Sequence, residues 1–289
     1  MTAFPRLVLG VCWVAGTVAS LAAQGDQKRL VELRDAKLAA PFLAKGAWST
    51  DYDAVRVKAA KSGKPILIYF TRSYAPCPSC AILEQGLLAE PAFLGATSSV
   101  ERFCHVTSLV AQDRFQRLLT DLGGRSFPYF AVVDAEGKPI ARFDEQPTLA
   151  NFKKLLAGEV AEYVALRDRA AKGDKAAKAE FLIRRITLGH LTPAEIEVAL
   201  RKADYLDAAQ RARIRGGLVN LEIAAIFGQI DESNPKSYGT AVSRLLAMKR
   251  GNRIPTGQIE RSCTRVYFTH VRTSRRPAMA SNAHAAIKK

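Results

Sequence analysis

Cys77-Pro78-Ser79-Cys80 follows the apolar run Ile66-Leu67-Ile68-Tyr69-Phe70 and opens an amphipathic segment. A CxxC placed between a buried strand and a helix N-terminus constrains the chain to a strand–helix unit with the first sulfur at the helix start. There the unpaired backbone N–H groups and the helix dipole favour that sulfur as a thiolate, so the pair is a dithiol positioned for redox chemistry. Pro78 suits the first helical turn because it has no N–H to leave unpaired. Cys80, Leu83 and Leu87 then recur at three- and four-residue spacings, which puts Cys80 on the buried stripe and leaves Cys77 facing out. Pro91 marks the expected end of this helix.

The surrounding elements alternate. Asp51 or Asp53 caps a helix whose inner face is Val55, Ala59 and Ala60, and Ser62-Gly63-Lys64-Pro65 stops it before the strand. Arg102 to Val110 reads as the next strand, with Cys104 a buried small hydrophobe and His105 an ordinary residue on the opposite face. Phe115, Leu118, Leu119 and Leu122 form a helical stripe closed by Gly123-Gly124. Tyr129 to Val133 is a strand, Asp134-Ala135-Glu136-Gly137 a hairpin turn, and Pro139 to Phe143 the return strand. A helix carrying Leu149, Phe152, Leu155 and Leu156 closes the series, which predicts an α/β fold with a mixed central sheet and helices on both faces.

The 289-residue length suits one large or two ordinary domains. From about Glu159 the pattern turns to Ala, Leu, Arg and Glu at helical spacing, predicting a small all-α domain over 158–250. Phe181, Leu182 and Ile186 mark one helix. Thr192-Pro193-Ala194-Glu195 is a capping box opening a second, and Ile214 to Ile230 is apolar on more than one side, as expected of the buried centre of a bundle. Asn234-Pro235 starts a fourth. Residues 24–46 are mixed polar and Ala-rich, a lead-in expected to be of low order or a loose helix.

The formal charge of +16 is concentrated at the end: from Lys249 onward ten Lys and Arg face Glu260 alone. Residues 251–289 show no sustained helical period beyond a short strand-like Val266-Tyr267-Phe268, which predicts a disordered basic tail. At the other end, Arg6, the apolar run from Leu7 to Val18 and the small residues Ala19-Ser20-Leu21-Ala22 have the layout of a signal peptide over residues 1–23, cleaved near Ala22 or Ala23. The segment is too short for a spanning anchor, so no membrane span is expected after its removal, and a periplasmic or other extracytoplasmic location is. Cleavage removes Cys12 and leaves Cys77, Cys80, Cys104 and Cys263 in an oxidising compartment. Export also argues against a nucleic-acid partner for the tail.

Residues 47–157 resemble the thioredoxin fold superfamily, and more closely its exported bacterial members that begin with a segment like Trp48-Ser49-Thr50-Asp51-Tyr52 followed by Lys64-Pro65-Ile66-Leu67. Cys77-Pro78-Ser79-Cys80 and Phe127-Pro128, the latter matching the family's cis-proline, carry the resemblance. It implies that Pro128 lies beside the dithiol although 51 residues separate it from Cys77. It further implies that Cys77 is the nucleophile and Cys80 the resolving thiol, with Phe127 and Pro128 pairing with an extended substrate segment and Pro128 keeping metal from the thiols. No cofactor is implied; the partners are protein disulfides or dithiols and a recycling redox protein, with the helical domain available for further contacts. Three departures stand out. Pro76 replaces the Trp that precedes the first cysteine in thioredoxins, two extra residues separate Phe70 from the motif, and Tyr69 takes the place of a buried acid that helps deprotonate the second cysteine. Glu84 is a candidate replacement base, although its place on the helix reads as a solvated one. Two other classes compete: a copper-binding protein using the thiols and His105, against which there is no second CxxC, Met cluster or HxxxH, and a non-catalytic interaction module.

Overall fold

The computed structural model describes residues 14–231 and 234–251. The strongly basic tail with Cys263, and the first thirteen residues with Cys12, lie outside the described residues. Two compact units divide the chain, Met1–Asp168 and Arg169–Lys289, a division later in the chain than the change of pattern at about Glu159.

In the first unit, α1 (Val14–Leu38) and α2 (Pro41–Lys45) precede α3 (Tyr52–Ser62), β1 (Ile66–Arg72), α4 (Pro78–Gln85), α5 (Pro91–Ala96) and β2 (Glu101–Thr107). Then come α6 (Leu118–Asp121), β3 (Tyr129–Val133), β4 (Pro139–Arg142) and α7 (Leu149–Leu155), which runs through a kink at Gly158 into α8 (Ala161–Ala171). The four strands lie in the order β2-β1-β3-β4. β1 pairs parallel to β2 and antiparallel to β3, and β3 pairs antiparallel to β4. The parallel pair needs a crossover, which α4 and α5 supply.

β1 is central and its side chains alternate between two cores. Ile66, Ile68 and Phe70 pack with Tyr52, Val55 and Ala59 of α3 and with Leu119 and Leu122. The other face is aromatic: Tyr69 meets the rings of Phe42, Trp48 and Phe130, and Phe152 of α7 meets Phe93, Phe130 and Phe143. All six residues from Ile66 to Thr71 are fully buried, which is why this strand reads as a continuous apolar run rather than an alternation. The β3–β4 turn closes with Gly137 at φ +83°, and a Cβ there would stand 2.7 Å from the Tyr52 hydroxyl. Both facts demand glycine.

Four details depart from the expectations. β2 ends at Thr107 rather than Val110, because the Ser108 hydroxyl accepts the Val110 N–H and Leu109 adopts a positive φ. The Phe115–Leu122 stripe forms only the short α6, since Phe115 is itself left-handed. Pro91 begins α5 instead of merely ending α4, and Leu88 rather than Leu87 is the fully buried residue there. The lead-in is ordered: α1 and α2 are helices, Phe42 and Leu43 are buried, and Arg34 bonds Asp113 at 2.5 Å. Its side chains mix polar and apolar types, and part of its attachment is made through charge, which hides the docking from an apolar-period reading.

In the second unit, α9 (Lys175–Thr187), α10 (Pro193–Lys202), α11 (Ala208–Gly228) and α12 (Pro235–Arg250) follow the expected cadence. The Thr192–Glu195 capping box is present. α11 is not a buried centre. It buries Ile214 against α9 and α10, and Ile223 and Ile226 against α12. Two partners at successive positions along one long helix explain why its sequence is apolar on more than one side.

Candidate active site

The C-terminal end of β1 delivers the chain through residues 73–76 to Cys77, the N-cap of α4. Its sulfur accepts the Cys80 backbone N–H at 3.3 Å, so it does what a Ser or Asp side chain does at a helix start. Pro78 is the first helical residue. Cys77 is half-buried, Cys80 is completely buried, and a disulfide joins them across a Cα separation of 5.2 Å. The inward stripe that the spacing predicts thus contains Cys80 and Leu83.

The Phe127-Pro128 bond is cis. Pro128 immediately precedes β3, whose first residue Tyr129 pairs with Phe70 near the end of β1. Antiparallel pairing therefore brings the start of β3 and the loop leading to Cys77 to the same end of the sheet. Phe127 and Pro128 are both half-buried there. Arg72, the last residue of β1, spans this end. It donates to the Pro76 carbonyl, and its guanidinium carbon lies 5.9 Å from the ring centroids of both Tyr74 and Phe127.

Glu84 is not solvated. It is 9% exposed. Its Oε1 accepts from the Tyr69 hydroxyl at 2.9 Å and from Thr71 at 2.8 Å, while Oε2 meets the Lys37 ammonium of α1 at 2.5 Å. One helical turn after Cys80, it lies on the same inward side of α4. Tyr69 of β1 is thus a donor to an acid supplied from the helix. Burial first, then the Glu84 charge, pushes the Tyr69 phenol far above its ordinary value. The same two causes raise the Cys104 thiol, which is buried and free; a thiol held protonated so firmly is a poor nucleophile. Sequence reasoning missed Lys37 and Arg72 outright. Glu84 it named as a candidate from its four-residue spacing from Cys80, but as a solvated one, whereas it is buried.

His105 is buried on the other face of β2. Its Nε2 lies 3.1 Å from the Phe115 carbonyl, which only accepts, so Nε2 carries the proton and Nδ1 is left to accept from Thr107 at 3.2 Å. Burial lowers its pKa, opposed in part by the Phe115 carbonyl. Both ring nitrogens are thereby engaged. Among the described residues no group of three or more His, Cys, Asp or Glu side chains is gathered where a metal ion would be held. Nor is any described helix long and apolar enough to cross a membrane.

The mixed sheet with a CxxC at the head of α4 and the appended helices are compatible with a thioredoxin-like α/β fold followed by a helical region. No protein-family model and no curated protein matches the chain. Among solved structures the chain is similar to one described as DsbH Oxidoreductase, with 22% identity and a TM-score of 0.32 over 38% of this chain and 81% of that one.

Proposed function

We propose that the protein is an exported thiol–disulfide oxidoreductase acting on protein substrates through Cys77 and Cys80. The observation that carries this reading is the Cys77 sulfur as the cap of α4, partly open to solvent, with Cys80 sealed behind it. The free N–H groups of a helix start stabilise a thiolate there more than a thiol. In the reducing direction the Cys77 thiolate attacks a substrate disulfide, one substrate sulfur leaves as thiolate, and a mixed disulfide forms. Cys80 then loses its proton and attacks the Cys77 sulfur, the second substrate thiolate leaves, and the Cys77–Cys80 disulfide remains; two electrons have passed from the dithiol to the substrate. The reverse sequence oxidises a substrate dithiol. A second redox protein restores the starting state. Glu84 is the acid on the Cys80 side of α4, and its carboxylate is the acceptor for the Cys80 proton. Phe127 and Pro128 supply the backbone edge along which an extended substrate lies. Export follows from the charged start, apolar run and small residues of 1–23.

The test combines two measurements on purified protein. In the reduced protein a small alkylating reagent should modify Cys77 much faster than Cys80. Cys80→Ala should accumulate mixed disulfides with exported proteins, and Cys77→Ala should accumulate none. Equal alkylation rates, or no adducts from Cys80→Ala on non-reducing electrophoresis, would remove the proposed roles. A glutathione titration of the pair then reads the direction of exchange from its potential.

A further inference from the structure

Arg72 combines three features at the dithiol end of the sheet. Its guanidinium donates to the carbonyl of Pro76, the residue joined to Cys77. Its guanidinium carbon lies 5.9 Å from the ring centroids of both Tyr74 and Phe127, the second of which precedes the cis-proline. It also has no ion pair among the described residues: the eight salt bridges there involve other cations, and Arg72 Nε is buried without a hydrogen-bond partner. The neighbouring Ser73 Oγ is buried and unpartnered in the same way. A guanidinium carries five N–H donors in a planar fork, and one to Pro76 leaves most of the fork's capacity unused. A residue whose only task was to brace the 73–76 loop would need no fixed charge; here the rings hold the guanidinium and leave its remaining donors to meet a group of opposite sign.

We propose that Arg72 is a specificity-determining residue that selects substrate segments carrying a carboxylate beside the reacting cysteine, through a charge-assisted pair formed as the segment lies across Phe127 and Pro128. This rests on the oxidoreductase reading and names the substrate class for that same site. The aromatic rings hold the guanidinium in place before the substrate arrives, so little side-chain freedom is lost on binding. Its Tyr74 and Phe127 neighbours also lower the local polarity, which strengthens the attraction relative to open water. A neutral substrate leaves the charge unanswered, and a lysine in the same place is repelled.

Three synthetic disulfide peptides differing only in Asp, Asn or Lys next to the cysteine test this, with exchange rates measured on the full chain at low and high salt. Wild type should exchange with the Asp peptide about 3- to 10-fold faster than with the Asn peptide at low salt, and slowest with the Lys peptide. Added salt should compress the series. Arg72→Gln should exchange with all three at rates within about 2-fold of one another once the long-range attraction of a basic protein is screened by salt, whereas Arg72→Lys should retain part of the order. Equal rates in wild type at low salt, or an Asp-to-Asn ratio in Arg72→Gln as large as that of wild type at the same salt, overturn the proposal alone. No exchange with any peptide overturns the oxidoreductase reading and the proposal with it.

Discussion

Glu84 shows how much chemistry a single side chain concentrates here. Three groups converge on its carboxylate, two hydroxyls from β1 and the Lys37 ammonium from α1. Glu84→Gln keeps the shape but leaves the half-buried Lys37 ammonium without its partner and, on the proposed mechanism, removes the acceptor for the Cys80 proton. The variant should lose about 2–4 kcal/mol of stability and release reduced substrate from the mixed disulfide about 100-fold more slowly, while the first attack by Cys77 keeps its rate. Adding Lys37→Met should recover stability without recovering the release rate in single-turnover measurements. If it restores both, Glu84 is only structural. His105 makes a pH-dependent contribution of definite sign. Its folded-state pKa is depressed by burial, so below the ordinary His value of 6.5 the unfolded chain binds the proton first. Stability is therefore lost as pH falls from about 6.5 toward the folded-state value. Denaturant titrations between pH 7 and 5 should show a smaller loss in His105→Gln, whose side-chain amide still reaches toward the Phe115 carbonyl. Parallel pH curves for the two proteins would contradict this.

At the scale of elements, the turn between α2 and α3 governs how the aromatic face of the sheet closes. Trp48 donates its indole N–H to the Leu88 carbonyl at 3.1 Å, stitching this turn to the short helical turn after α4. Gly46 sits at the point of closest approach: a Cβ there would meet the Leu88 oxygen at 2.3 Å and the Trp48 ring at 2.4 Å. Its φ of −86° is ordinary for any residue, so the requirement is one of space. Gly46→Ala should cost about 1–3 kcal/mol by displacing either the indole bond or the Leu88 backbone, read as a lower denaturation midpoint with an unchanged slope. A neutral result would mean that the 46–48 turn moves freely. The half of α4 that follows Cys80 leads directly into this contact, so the same variant should also raise the alkylation rate of Cys80.

For the whole molecule, the two compact units and the charge distribution lead to one separation experiment. Cys77, Cys80, Phe127, Pro128, Glu84 and Arg72 all belong to the first unit. A chain ending after Gly251 loses eight Lys and Arg against Glu260. It should exchange disulfides at the full-length rate and bind anionic surfaces less tightly, with the difference vanishing at high salt. Loss of exchange in the shortened chain would show that the basic segment contributes to the working fold. Equal salt-dependent binding by both chains would place the anionic contact elsewhere.

The local pattern was sufficient where one short segment carries its own constraint. The apolar run of β1, the turn at Gly137, the Thr192 capping box and Cys77 at a helix start were all legible because neighbours in the chain impose them. Periodicity likewise separated the mixed sheet from the helices that follow. It could not show that Phe115 would turn left-handed, because that depends on how the chain after β2 folds back beside His105. Nor could it show that Glu84, named by its spacing from Cys80, is buried rather than solvated. Lys37 and Glu84 are 47 positions apart, and either one alone reads as a solvated charge. Only folding α1 back onto α4 makes burial of Glu84 tolerable, since the half-buried Lys37 ammonium offsets the desolvation of the carboxylate. Arg72 obeys the same logic: the sequence puts it at a strand end, and the tertiary structure decides that it lies near the rings of Tyr74 and Phe127 at the dithiol end, with no ion pair among the described residues.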